Sequence, residues 1–296
     1  MFKQTKIYFT FLVFVLLGNI AFAKVQIFAC ETEWRALSQE LGGNKVNIYT
    51  ATTNLQDPHH IQARPSLIAK ASRADLLVCT GAELEVGWLP LLLRKSNNGK
   101  IQPATLGYFM ASSYVSLYEK PTTLDRSEGD IHSQGNPHIS LDPNFILQVA
   151  FKLSETLIKI DPSNKQYYQK RLSIFETKWK NSINKWEQKA SSMNNKTIIV
   201  HHNNWAYLNK WLGLKQIAML EPKSGVAPTS SHLKSLINVA KREKADVIMY
   251  TYYQNAKASK WLSQKTSIPT MRLETSPNAD ETIFQWFDRF INKLIK

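Results

Sequence analysis

Short apolar runs alternate along this chain with stretches of helical period. Residues 25–29 (VQIFA), 46–49 (VNIY) and 75–78 (DLLV) are such runs, and residues 33–41, between the first two, carry helical spacing. The same succession returns in the second half at residues 196–200 (KTIIV), 216–219 and 246–250 (DVIMY). Alternating strand and helix signals predict parallel sheets covered by helices, because a parallel pair needs a long crossover. The expected fold class is α/β, with two similar lobes, each a parallel sheet flanked by helices.

Between the halves Tyr168, Leu172, Phe175, Trp179, Ile183 and Trp186 recur at spacings of three and four. That period predicts an amphipathic helix, started at Asp161-Pro162-Ser163 and uninterrupted by Gly or Pro before Ser191. A helix of about 30 residues would be roughly 45 Å long. It predicts one long rigid linker helix joining the lobes and restricting hinge closure, with its aromatic stripe packed against both. Ile283, Trp286, Phe287, Phe290 and Leu294 predict a further amphipathic helix within residues 281–296. The expected organisation is an N-terminal lobe over 24–160, the linker over 161–192 and a C-terminal lobe over 193–296.

The first residues stand apart. Lys3 and Lys6 precede an apolar run from Ile7 to Leu17 and the triplet Ala21-Phe22-Ala23. These are the parts of a secretory signal peptide over residues 1–23, and the run is shorter than the roughly 20 residues that span a bilayer. No cysteine follows the run to carry a lipid, so the expectation is a soluble protein of the periplasm. The 273 residues that remain exceed what one core usually serves, in keeping with two lobes.

Lys and Arg number 37 against 23 Asp and Glu, a net charge of +14 that falls to +12 without Lys3 and Lys6. Such a balance favours anionic partners in general. Export and the scatter of Lys178, Lys180, Lys185 and Lys189 along a helical segment argue against nucleic acid. Two cysteines, Cys30 and Cys79, end two of the apolar runs. In an oxidising compartment parallel strands ending at one sheet edge would bring them within disulfide reach; buried free thiols are the alternative.

The seven histidines carry the chemistry. His59 follows Asp57-Pro58 after an expected strand, His138 follows Asn136-Pro137, and His202 follows the strand that ends at Val200. In open α/β sheets ligands bind beyond the carboxyl ends of the strands, where these loops would converge. Three imidazoles there would favour a borderline-soft ion such as zinc over magnesium or calcium. No H-E-x-x-H or C-x-x-C string is present, so spacing alone does not define a metal site.

With their surroundings these strings resemble the solute-binding proteins of zinc and manganese ABC transporters, the ZnuA-like family, across essentially the whole chain after residue 23. The resemblance rests on Asp57-Pro58-His59 followed by Pro65, on Asn136-Pro137-His138 followed by Leu141-Asp142-Pro143, and on His202 ahead of Trp205 and Tyr207. It implies a protein that catalyses nothing, binds one Zn2+ per chain through His59, His138 and His202, and delivers it to an ABC transporter membrane permease. A periplasmic metallochaperone is a further implied partner, and the implied state is a monomer. His rather than Glu at position 202 resembles the zinc branch more than the manganese branch.

The family's fourth ligand, an Asp in an L-D-P string, is replaced here by Arg272-Leu273-Glu274-Thr275. Glu274 is the expected fourth donor, with Asp280 or water as alternatives. His60 and His201, neighbours of expected ligands, are read as supporting or surface residues, either of which could take a ligand's place. His132, in a Gly-containing loop where family members carry a His-rich segment, is read as a weak auxiliary site. His232 is expected at a helix start capped by Ser or Thr. The alternatives are manganese or iron uptake, a periplasmic zinc hydrolase using a metal-bound water with a Glu or Asp base, and surface adhesion.

Overall fold

The computed structural model of the chain describes residues 23–122 and 129–296. The expected signal peptide, apart from Ala23, lies outside them. Strands β1 (Val25–Ala29), β2 (Val46–Thr50), β3 (Leu76–Cys79) and β4 (Tyr108–Met110) form a parallel sheet in the order β2-β1-β3-β4. Strands β5 (Thr197–Val200), β6 (Lys215–Met219), β7 (Val247–Thr251) and β8 (Thr270–Leu273) repeat it as β6-β5-β7-β8. Each sheet thus has a fourth strand beyond the three apolar runs visible in each half. Both extra strands are short edges, and only Leu273 of β8 is buried, so neither stands out as an apolar run.

Successive residues of a strand face opposite sides of its sheet, and here both sides are covered. In the N-terminal lobe Val25, Ile27, Leu76 and Val78 enter one core, while Phe28, Leu77 and Cys79 enter a second one beneath α2 (Pro65–Ala71) and α3 (Leu89–Ser96). In the C-terminal lobe Ile198, Val200 and Met249 share the first core. Ile199 and Ile248 enter a third one beneath α7 (Ser230–Arg242) and α8 (Ala256–Thr266). Burial on both faces is why the strands read as unbroken apolar runs rather than as alternations.

The first core runs from lobe to lobe through α4 (Pro143–Ile160), α5 (Lys165–Lys189) and α9 (Ile283–Leu294). Helix α5 buries Tyr168, Phe175, Trp179, Ile183 and Trp186 and is the linker between the sheets. Its α-helical part has 25 residues, about 38 Å, shorter than the periodicity predicts. Residues 162–164 and 191–193 are separate 3₁₀ turns at its two ends. Arg171 ties it to α1 (Thr32–Gly42) by donating from Nε to the Glu40 carbonyl at 2.6 Å. Helix α9 opens with a capping box in which Thr282 and Gln285 each bond the other's backbone, and it brings Phe284 and Phe287 against Trp179 at ring separations of 5.0 and 5.2 Å. No helix among the described residues is long and apolar enough to cross a membrane.

Candidate metal centre

Both sheets point the carboxyl ends of their strands toward one cleft, and the loops there carry the histidines. His59 lies in the turn after β2, and Asp57 makes that turn: its Oδ1 accepts from the His59 backbone N–H at 3.0 Å and lies 2.8 Å from His59 Nδ1. Burial alone would raise the Asp57 pKa, but its hydrogen bonds and charge interaction with His59 outweigh it and hold the carboxyl below its ordinary range. His138 is set in the same way. Asn136 Oδ1 accepts from its backbone N–H at 3.0 Å, while the Tyr207 hydroxyl donates to the Asn136 carbonyl at 2.6 Å. The two x-P-H strings are therefore side-chain-closed turns, for which Asp and Asn have the required reach.

His202 lies two residues beyond the end of β5, ahead of α6 (Ala206–Leu212). Its Nδ1 lies 2.7 Å from Oε2 of Glu221, which follows β6 and is fixed in turn by the Gly225 N–H at 2.9 Å. The ring centres of His59 and His138 lie 5.5 Å apart, and each lies 5.7 Å from that of His202. One donor nitrogen from each of the three can be chosen so that all lie within 4.8 Å of one another.

The Nε2 atoms of His59 and His138 are buried without a hydrogen-bond partner among the described residues. Orphaned buried acceptors are costly unless something fills the space between them. Burial, reinforced by His59, His202 and His132, keeps the His138 pKa well below the ordinary imidazole value, so the ring is in its ligating, neutral form. Carboxylates on the far nitrogens of His59 and His202 give the orientation usual for metal-bound imidazole. The donor set fits a divalent transition metal.

The other expected residues divide. His132 stands beside His59, with ring centres 5.4 Å apart, but outside the group of three whose donor atoms lie within 4.8 Å of one another; burial, then the neighbouring His59 and His202, lower its pKa to about 4. His60 is exposed, with its ring 6.1 Å from that of His59. His201 is buried and its Nε2 stands 3.8 Å from Glu221 Oε1. His232 sits in the first turn of α7, where Thr229 caps the helix, and its Nε2 reaches the Met219 carbonyl at 2.9 Å. Cys30 and Cys79 are joined by a disulfide with their Cα atoms 4.8 Å apart.

Glu274 is not brought to the histidines. Its carboxylate forms an ion pair with Arg289 of α9, and its carbonyl accepts from Trp286 Nε1 at 3.2 Å. Asp280 is exposed and acts on the Arg35 guanidinium instead. Glu221, by contrast, does reach the site, as Asp57 does. Nothing in Leu220-Glu221-Pro222 marks it except its place just beyond a strand.

A two-lobed α/β protein with a cluster of imidazoles between its parallel sheets is of the class that captures a metal ion rather than transforms a substrate. The family described as zinc-uptake complex component A, periplasmic, matches residues 27–296, and the chain belongs to that family. It is a family of solute-binding proteins for transporters, not of enzymes, and the chain is the substrate-binding component of a metal ABC transporter.

Among its relatives, the manganese ABC transporter substrate-binding lipoprotein PsaA of Streptococcus anginosus is 23% identical over 252 residues, covering 83% of this chain and 78% of that protein. The metal ABC transporter substrate-binding lipoprotein FimA of Streptococcus parasanguinis is 22% identical over 258 residues, covering 84% and 79%. A crystal structure of ZnuA superposes with a TM-score of 0.73 at 20% identity, covering 92% of this chain and 97% of that one.

Proposed function

We propose that the protein is a periplasmic zinc-binding protein, exported by a signal peptide over residues 1–23, that delivers one Zn2+ per chain to the permease of an ABC transporter. It acts as a monomer with lobes over 24–160 and 193–296 and the linker over 161–192, and a periplasmic metallochaperone is its candidate supplier. His59, His138 and His202 are the proposed ligands, and Asp57 and Glu221 orient two of them. The observation that carries the choice of zinc is the convergence of three imidazoles, with no carboxylate oxygen in the group of donor atoms that lie within 4.8 Å of one another. Nitrogen-rich sets suit zinc, whereas manganese suits oxygen donors.

Manganese is the second reading, favoured by the name of the PsaA relative. Mass spectrometry of untagged protein tests both, with His59→Ala, His138→Ala and His202→Ala alongside. One zinc per chain, lost or weakened in each variant and not displaced by equimolar Mn2+, is the expected result. Tight zinc binding that survives all three changes would overturn the ligand assignment, and preferential loading with manganese would overturn the choice of metal.

A further inference from the structure

A cavity of about 720 Å³ opens at the carboxyl edge of the second sheet, and none of the three proposed ligands lines it. It is bounded by His201 after β5, Glu221 after β6 and Asn255 after β7. Helix α6 packs into the first core, whereas α7 and α8 cover the opposite face of the sheet over the third. The connections therefore part between β5 and β7, and in an open α/β sheet that parting leaves a ligand crevice. His201 stands at this point, its N–H donating to the Met249 carbonyl of β7 at 2.9 Å. The volume is within the roughly 300–1,000 Å³ of small-molecule sites.

Helices α7 and α8, of 13 and 11 residues, both begin at this edge and turn similar faces to the cavity. On α8 Lys257 and Trp261 are four residues apart and so share a face; on α7 Leu233 and Lys234 follow Ser230 by three and four. Leu233 and Trp261 are half-buried and rest on the third core, which makes them a firm apolar wall. Lys234 and Lys257 are exposed and have no ion-pair partner among the described residues. Thr229 and Asn255 cap the two helices, each accepting one N–H of the first turn, and the partial positive charge of both helix starts adds to that of the lysines.

One buried side chain in the wall lacks a partner. His201 is 6% exposed, and its Nδ1 is buried with no hydrogen bond among the described residues. Its Nε2, at 3.8 Å from Glu221 Oε1, is too far away for one. A buried polar atom left this way is satisfied when a ligand brings a polar group to it. Glu221 is the only acid lining the cavity, and its Oε2 is already engaged by His202 Nδ1 and the Gly225 N–H. The balance of the wall is positive.

We infer that this cavity binds a small organic anion, a carboxylate on a flat apolar body. The carboxylate lies between Lys234, Lys257 and the two helix starts, with His201 Nδ1 as a further donor, and the body rests against Trp261 and Leu233. The site is separate from metal capture and does not depend on it.

The test is fluorine NMR of para-fluorobenzoate titrated into the full chain, metal-free and zinc-loaded, with the uncharged para-fluorobenzamide as comparison. Saturable binding of the carboxylate is expected in both forms, with a dissociation constant of about 1 mM or tighter, and none of the amide. Lys234→Ala with Lys257→Ala should weaken it at least about 10-fold, while Lys185→Ala with Lys189→Ala, which removes the same charge from exposed positions of α5, leaves it within about twofold. No saturable binding, or equal binding of the amide, overturns the inference. So does an equal loss in the α5 pair, which would mean diffuse attraction to a basic surface, and so does binding confined to the zinc-loaded form, which would mean a carboxylate on the metal. A chain that bound no zinc would overturn the metal site and leave this one standing.

Discussion

His202 Nδ1 lies 2.7 Å from Oε2 of Glu221, and the two side chains are 9% and 12% exposed. The residues lie on the loops that leave the neighbouring strands β5 and β6, so the sheet register holds them together. Glu221 can only accept when ionised, which fixes the proton on Nδ1 and turns Nε2 toward His59 and His138. Glu221→Gln keeps the shape and weakens the acceptor. We expect zinc affinity to fall about 10- to 100-fold, the usual loss for an outer-shell partner. Chelator competition on folded variant reads this directly, and an affinity within twofold of wild type would mean that Glu221 does not orient the ligand.

A second group of titratable residues lies behind the site. Glu31, Glu33 and Glu85 are 4%, 6% and 2% exposed. Burial first, and then their mutual repulsion, push Glu31 well above the usual carboxylate range; burial is the main cause that raises Glu33 and Glu85 to about 7. The folded state therefore holds protons that the unfolded chain has already released between pH 4.5 and about 7. Stability from these groups is fully present below the unfolded value and is lost as pH rises through the folded one. Glu33→Gln removes one such charge. It should raise the stability measured by urea unfolding at pH 8 by on the order of 1–3 kcal/mol and add little near pH 4.5. An equal gain at both pH values would show that Glu33 is not protonated on folding.

The sequence makes some parts of this arrangement legible and hides others, for physical reasons. His59 and His138 can be read because an Asp or Asn two residues before each closes its turn, and His202 because it follows a strand buried on both faces. Glu221 is hidden: its partner is 19 residues away, and only the pairing of β5 with β6 brings them together. Glu274 is misleading for a related reason. Its position after β8 fits the family pattern, but Arg289 of α9 takes its carboxylate. His132 reads as a lone loop histidine, because what places it is a carbonyl 50 residues earlier. The strands β4 and β8 are too short and too exposed at their edges to register as apolar runs.

Cys30 and Cys79, both fully buried, are linked across a sequence separation of 49 where β1 and β3 end side by side. Closing a loop of that length restricts the unfolded chain by roughly 4 kcal/mol on the chain-entropy account. The double substitution Cys30→Ala with Cys79→Ala should lower the unfolding free energy by about 2–4 kcal/mol, seen as a lower denaturant midpoint, while zinc stoichiometry stays at that of wild type. A midpoint that neither the substitution nor added reductant moves would show that the pair is not bonded in solution.

Trp179 is fully buried at the middle of α5, donates from Nε1 to the Pro143 carbonyl at 2.8 Å and stacks on Phe175 with ring centres 5.1 Å apart. On its other sides stand Trp186 and the α9 rings Phe284 and Phe287. Residues of both sheets belong to the same core, so the lobes should unfold together rather than one after the other. Calorimetry of wild type should show one cooperative transition. Trp179→Ala leaves a large cavity in that core and removes the hydrogen bond to the Pro143 carbonyl, and should lower stability by about 3–5 kcal/mol. Two resolved transitions in wild type, or a Trp179→Ala variant that melts with wild type, would mean that α5 is a tether between independent lobes rather than the spine of one folding unit.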